Sequence, residues 1–214
     1  MSQTDRTQLF DRWAENYDTA VTSADGDFPF DGYEQILDDV VRMADAKPST
    51  RILDLGIGTG NLAARFLQSG CVVWGADFSA EMLAQARAKL PQVHLVQANL
   101  LGEWPAALQL PFDRVVSAYV LHEFDLATKV SLLRRVASHH LAAGGCILVA
   151  DIAFPTALAR EAAAQRWAES WDQDETYWAA DETIAACAEA GLQTTYKQVS
   201  SCGGIFTFVI RGDR

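Results

Sequence analysis

The 214-residue chain has little with which to build a metal centre or a disulfide frame. Its four cysteines, Cys71, Cys146, Cys187 and Cys202, form no CxxC pair and have no histidine at ligand spacing. They read as ordinary thiols of a reducing compartment, and no metal is expected. Basic residues are also scarce: 17 Lys and Arg stand against 28 Asp and Glu, for a net charge of −11 and a pI near 4.7. Such a balance opposes a long, sequence-blind grip on nucleic-acid phosphate, so no nucleic-acid partner is expected. No apolar run approaches the roughly 20 residues of a membrane span. The opening "MSQTDRTQLFDRW" lacks the apolar stretch of a secretory signal, and a cytoplasmic location follows as the expectation. There is no GxxxxGK[ST] phosphate loop, no internal repeat and no low-complexity linker.

What is present is a regular alternation. Half of the residues are apolar, enough for the full core of one domain. "RILDLG" reads as a strand and "GNLAARFLQSG" as a helix ended by Gly70. "CVVWGAD" is the next strand, followed by the helix "SAEMLAQARAKL", with Ser79 as N-cap and Pro91 just past its end. "VHLVQAN" and "FDRVVSAYV" are further strands, "ATKVSLLRRVASHHL" a helix and "GCILVADIAF" a fifth strand. Strands apolar on both faces and separated by helices imply a parallel sheet covered on both sides. At the end, "LQTTYKQVS" and "GIFTFVI" flank the turn "SCGG" and can pair as an antiparallel hairpin. The expected architecture is a single α/β domain over 1–214. Residues 1–48 form a helical cap, 50–151 the binding core, 155–190 a helical insert and 191–214 the terminal hairpin.

Within "RILDLGIGTGNLA", Asp54 interrupts a strand-like apolar run and Gly56, Gly58 and Gly60 follow at alternate positions. Clustered glycines either make a plain tight turn or let a ligand approach bare backbone N–H groups at a helix N-terminus. In an open parallel sheet, the loop after the first strand lies where ligands bind. Asp77 ends the second strand about 20 residues further on, the position from which a carboxylate accepts the ribose hydroxyls of a nucleoside. A dinucleotide fingerprint would be G-x-G-x-x-G; the spacing here is G-x-G-x-G.

"ILDLGIGTGNLA" resembles the first motif of class I S-adenosylmethionine-dependent methyltransferases, and the resemblance continues in order. "VVWGADFSAEML" is similar to their second motif, "LVQANL" to their third-strand segment, "FDRVVSAYVLHEF" to their fourth-strand motif and "LAAGGCILVAD" to the turn into their fifth strand. The opening "FDRWAENYD" and the closing "YKQVSSCGGIFTFVI" also resemble a small bacterial group of largely uncharacterised methyltransferases. The resemblance implies a Rossmann-like, seven-stranded, mostly parallel sheet with helices on both faces and a reversed last strand. It implies S-adenosyl-L-methionine as cofactor, with S-adenosyl-L-homocysteine as product. On the matching positions, Gly56, Ile57 and Gly58 would line the methionine side, with Asp54 supporting the loop. Asp77 would take the ribose, and Phe78, Met82 and Leu100 would cover the adenine. Where the family usually carries an acid facing the adenine amino group, this chain has Asn99. Its amide oxygen can accept the same bond without charge assistance, although Asn99 also reads as a strand-ending turn residue.

The segment after the fourth strand, "SAYVLHEF", lacks the [DN]-PP-[YF] signature of amino-directed enzymes acting on adenine or glutamine, and no Pro-Cys loop is present for covalent attack on cytosine. By resemblance, Ala118 and Tyr119 would touch the methionine end. His122 could take a proton from an acceptor, or serve only as a packing residue. Trp13 and Tyr17, four residues apart on one helix face, are expected over the methionine moiety, where aromatic faces suit a sulfonium. Trp167, Trp171, Tyr177 and Trp178 read either as core or as a substrate lid, and "DQDET" as a solvated acidic loop. The expected activity is in-line methyl transfer to a small-molecule substrate, with a homodimer as the assembly to test. A Rossmann-type oxidoreductase and a non-catalytic cofactor-binding protein stand as alternatives.

Overall fold

The computed structural model describes residues 18, 19, 21 and 26–212. Trp13 and Tyr17 lie outside the described residues. From α1 (Tyr33–Ala44) onward the chain alternates: β1 (Arg51–Leu55), α2 (Asn61–Gln68), β2 (Val72–Asp77), α3 (Ala80–Lys89), β3 (His94–Gln97), β4 (Phe112–Ala118), α4 (Leu126–His139) and β5 (Leu141–Phe154). The later part holds α5 (Ala157–Arg166), the two-residue β6 (Trp178–Ala179), α6 (Ala180–Glu189), β7 (Leu192–Gln198) and β8 (Gly203–Ile210). The strand order is β3-β2-β1-β4-β5-β8-β7, with β6 paired to β5 off that path. Seven strands therefore form the continuous sheet, as expected, and the short β6 makes an eighth. It arises inside a stretch that reads as helical, because Ala153 and Phe154 offer β5's free edge to Trp178 and Ala179.

The first five strands pair in parallel, whereas β8 runs antiparallel to both β5 and β7. The alternation of side chains along each strand explains the two cores. Ile52, Val116 and Leu148 face one apolar cluster; Leu53, Leu55, Val115, Ile147 and Val149 face the other. Each such fully buried aliphatic side chain contributes about 1.5–3 kcal/mol relative to exposure. The caps are local in origin. The Ser79 hydroxyl accepts from the Met82 amide at 3.1 Å, and the Asp125 carboxylate accepts from the Thr128 amide at 2.7 Å.

Strand order reverses between β1 and β4, since β2 and β3 lie on one side of β1 and β5 on the far side of β4. Two neighbouring βα loops thus diverge to opposite faces and leave a crevice at the carboxyl end of the sheet.

Candidate functional site

A cavity of about 560 Å³ opens at that crevice. Its inner half is made by residues that immediately follow strand ends. After β1 the chain turns through Gly56, Ile57 and Gly58, with φ of 72° at Gly56 and 54° at Gly58, a left-handed backbone that glycine adopts without strain. A Cβ on Gly58 would meet nothing within 4 Å, so this backbone borders open space. A Cβ on Gly56 would meet Val120 Cγ2 at 2.5 Å. The requirement at Gly56 is thus close packing against the chain that follows β4, a reason additional to the approach of a ligand.

Asp77 does more than end β2. One of its carboxylate oxygens accepts from the Gly58 amide at 2.9 Å and the other from the Ser79 amide at 2.9 Å. It therefore staples the glycine loop to the start of α3 while lining the cavity. Asp54, fully buried, also lines the cavity, and its Oδ2 has no hydrogen-bond partner among the described residues. Burial, reinforced by the negative charge of Asp77, pushes its pKa up to about 8. Phe78, Met82, Leu100, Leu101 and Ala118 supply apolar wall. Asn99 is exposed at the cavity edge, and its Oδ1 accepts from the Leu101 amide at 2.9 Å. The residue is a strand-ending turn and a wall residue at once, so the two readings of Asn99 are compatible.

The outer half joins segments far apart in sequence. Tyr119 has φ 56°, which turns its ring against Tyr33 (5.2 Å between centroids) and Phe30 (5.6 Å). All three line the cavity. The buried Tyr119 hydroxyl has no partner among the described residues, and burial raises its pKa well above the usual value. His122 sits in a 3-10 turn, Leu121–Glu123, beside the buried Asp151 of β5. The His122 Nδ1 lies 2.6 Å from Asp151 Oδ1, and the His122 amide donates to Asp151 Oδ2 at 3.0 Å. The Trp178 indole also donates to Oδ2 at 3.0 Å, and the Ile152 amide to Oδ1 at 2.9 Å. Burial alone would raise the pKa of Asp151, but the facing imidazole and these donors hold it below the usual carboxylate value. Burial pulls the His122 pKa down, yet the charges of Asp151 and Glu175 outweigh it and the net shift is upward, with Lys129 opposing. Lys129 is itself buried, donates to the Thr176 carbonyl and lies 4.2 Å above the Trp178 ring.

In the insert the aromatic rings follow the core reading, and it is the acidic stretch that departs from expectation. Trp167, Trp171, Tyr177 and Trp178 do not line the cavity. Trp167 and Trp171 stack on Phe28 at 4.9 and 5.6 Å, and Tyr177 packs edge-on to Trp171 at 4.5 Å, so these rings fasten the insert to the N-terminal segment. The acidic stretch supplies the wall instead, through Asp172 and Glu175. Asp172 is exposed at the lip, whereas Glu175 is half-buried and reaches to 3.6 Å from His122 Nε2. Sequence reasoning missed Asp151, Glu175, Phe30 and Tyr33. Only the first had a signal, an acid closing the apolar run "CILVAD". It also missed Asp18, whose carboxylate accepts from Thr59 at 2.6 Å and from Asn61 and is paired with Lys89, tying the N-terminal segment to the glycine loop.

Residues 52–145 match a family described as "Methyltransferase domain". An uncharacterised methyltransferase of Anoxybacillus flavithermus is 35% identical over 156 residues, 72% of this chain and 70% of that protein. The chain belongs to the class I S-adenosylmethionine-dependent methyltransferases. Another uncharacterised methyltransferase, from Bacillus cereus, is 35% identical over 199 residues, 88% of this chain and 80% of that one. The solved magnesium protoporphyrin IX methyltransferase of Synechocystis, with bound SAH, superposes with a TM-score of 0.74 at 18% identity, covering 98% of this methyltransferase and 100% of that chain. That likeness is one of fold. Among the described residues, no helix of this methyltransferase is long and apolar enough to cross a membrane.

Proposed function

We propose that this methyltransferase transfers a methyl group to a small-molecule acceptor held in the outer half of the cavity, by in-line displacement at the sulfonium of S-adenosylmethionine bound in the inner half. The observation that carries this reading is the pairing of an orphaned, buried Asp54 oxygen with the open backbone at Gly58. A carboxyl group without a partner is costly in a protein interior, and a donor bearing an ammonium group offsets that cost.

The remaining inner residues fit the same ligand. Gly56, Ile57 and Gly58 hold the methionine part beside Asp54. Asp77, whose oxygens brace the loop, takes the ribose hydroxyls. Phe78, Met82 and Leu100 enclose the adenine, with Asn99 at its amino edge. Ala118 and Tyr119 border the sulfonium, whose positive charge suits the faces of Tyr119, Tyr33 and Phe30. Burial raises the Tyr33 phenol to about 12, so at neutral pH it stays neutral. Trp13 and Tyr17 are assigned to the same end on the sequence pattern alone. When bound, the donor supplies an electrophilic methyl group on a good leaving group. The protein's own task is alignment, which can supply much of the acceleration without a strong base. His122, held by Asp151, is the proton acceptor for the entering nucleophile.

Isothermal titration with S-adenosylhomocysteine, S-adenosylmethionine and NAD(H) tests the reading. Micromolar-range binding of the first two and none of the third is expected. Asp77→Ala, which removes both a ribose acceptor and the loop staple, is expected to weaken binding by about 1–3 kcal/mol or more. Binding of NAD(H) instead would restore the oxidoreductase alternative. Cofactor binding with no methyl incorporation from labelled donor into any compound of a metabolite extract would leave a non-catalytic binding protein.

A further inference from the structure

The outer half of the cavity carries the groups that select the acceptor. Resting on that methyl-transfer reading, we propose that the acceptor is a primary or secondary amine that enters as its ammonium ion and docks between His122 Nε2 and Glu175.

The charge of the wall is one-sided. In the outer half Glu123, Asp172 and Glu175 line the cavity with His122, and among the described residues no lysine or arginine lines any part of it. Two like charges 6 Å apart repel by about 2.8 kcal/mol at an effective dielectric of 20, so a carboxylate or phosphate acceptor would enter against several such interactions. An ammonium ion gains from each of them.

The acceptors are placed for N–H donors. Asp151 Oδ1 faces His122 Nδ1 at 2.6 Å, so whenever the ring is neutral the proton stays on Nδ1 and the lone pair lies on Nε2, at the cavity wall. Glu175 Oε1 lies 3.6 Å from that nitrogen, too far for a direct bond between them but near enough for one cation to bond both. Glu123 Oε1 lies 4.0 Å from Nε2, and the three ligand atoms fall within 4.8 Å of one another. A tetrahedral metal with bonds of about 2.1 Å spaces its ligand atoms at about 3.4 Å. An ammonium donating along tetrahedral N–H directions over about 2.8 Å spaces its acceptors at about 4.6 Å. The observed 3.6 and 4.0 Å lie between, so the spacing admits a cation and the surroundings decide which. Pro29, Phe30, Phe124 and Ile152 line the same cavity and give an organic cation an apolar body to bury, which a bare metal ion cannot use.

The chemistry closes with the groups present. The ammonium nitrogen gives one proton to Nε2, and the imidazolium is stabilised by Asp151. The freed lone pair forms the N–C bond to the methyl group as the C–S bond breaks, its electron pair staying on sulfur. The products are a methylated ammonium and the thioether, and the imidazolium proton leaves to solvent with product.

The test titrates the protein, saturated with S-adenosylhomocysteine, with butylamine, hexylamine and 2-phenylethylamine, each beside the alcohol and the carboxylate of equal length. In at least one trio the amine is expected to bind about tenfold or more tightly than the alcohol, with the carboxylate weakest. Glu175→Gln is expected to reduce the amine's advantage about tenfold while the affinity for S-adenosylhomocysteine stays within about twofold. A carboxylate binding as well as its amine, or no amine binding at about 10 mM, overturns the proposal. So does Mn²⁺ alone binding to the wild type, lost in Glu175→Gln and not displaced by any amine. Failure of the wild type to bind S-adenosylhomocysteine at all is a failure of the methyl-transfer reading, seen before any amine is added.

Discussion

The two halves of the cavity are built in different ways. The inner half is assembled from residues within five positions of a strand end: Asp54 to Gly58 around the end of β1, Asp77 at the end of β2 with Phe78 and Met82 after it, Asn99 to Leu101 after β3. Its backbone is pinned by short bonds within the sheet, such as the Gly56 and Ile57 amides to the Ala76 carbonyl at 2.8 and 3.0 Å. The outer half draws Phe30 and Tyr33 from the entry helix region, Tyr119 and His122 from the chain after β4, Ile152 from β5 and Glu175 from the insert. No two of those segments are consecutive strands of the sheet. A rigid sheet edge serves a constant ligand, and a composite wall can be altered for a different acceptor without disturbing it.

Breaking the inner half gives the largest effect. Gly56→Val places a branched side chain at φ 72° with its Cβ 2.5 Å from Val120, and is expected to abolish S-adenosylhomocysteine binding in calorimetry while the far-ultraviolet circular dichroism stays that of a folded protein. The milder Gly56→Ala is expected to lose at least about tenfold in affinity, and adding Val120→Ala to recover part of that loss. No recovery would mean that the ligand, rather than Val120, needs the space.

The outer half should fail separately. In Asp151→Asn an amide nitrogen replaces one acceptor oxygen, and it would face another donor among the His122 ring, the His122 amide, the Trp178 indole and the Ile152 amide. Methyl transfer is expected to fall about tenfold to a hundredfold, with a lowered melting temperature and unchanged S-adenosylhomocysteine affinity. Equal losses in turnover and cofactor affinity would show that the two halves are one mechanical unit.

A pH experiment sharpens the contrast through Asp54. Its folded pKa of about 8 lies above the ordinary 3.8, so between those values the native state binds more protons than the unfolded state. Stability is expected to fall as pH rises through that window, and Asp54→Asn to flatten the slope of melting temperature against pH. An ammonium-bearing ligand favours the ionised carboxylate. Binding at pH 7 is therefore expected to release a fraction of a proton, measured from titrations in buffers of different ionisation enthalpy, and Asp54→Asn to abolish the release. The smallest effect is expected of Asn99→Asp. The carboxylate keeps the bond from the Leu101 amide and offers a charged acceptor at an exposed edge, so affinity should rise only about two- to threefold.

The same contrast explains what could be read in advance. The inner half was legible because its signals are local: a left-handed glycine turn, an acid closing a strand, and an N-cap serine act over a few residues. Asn99 was legible as both a turn and a wall. The outer half was not, because the spacing of Trp167, Trp171 and Tyr177 suggests one helix face, whereas α5 ends at Arg166 and these rings follow it on turn and loop chain whose packing only the fold sets. The rings pack on Phe28, from the N-terminal segment, and on Phe154 at the end of β5. The acidic "DQDET" had the composition of a solvated loop, and only the fold brings Glu175 to 3.6 Å from His122 Nε2.

By itself the sequence determined the alternating strands and helices, the reversed terminal hairpin, the glycine turn and the carboxylates that flank it. Period-two burial, positive-φ glycine and side-chain capping are short-range effects, and a chain carries them wherever it folds. The tertiary structure alone decided that Asp151 lies under His122, that Glu175 completes the opposite wall, and that a fully buried Asp54 keeps an oxygen without a partner among the described residues. Those outcomes depend on which distant surfaces exclude water from a given group. Desolvation and charge pairing are set by three-dimensional neighbours, which spacing along the chain does not encode.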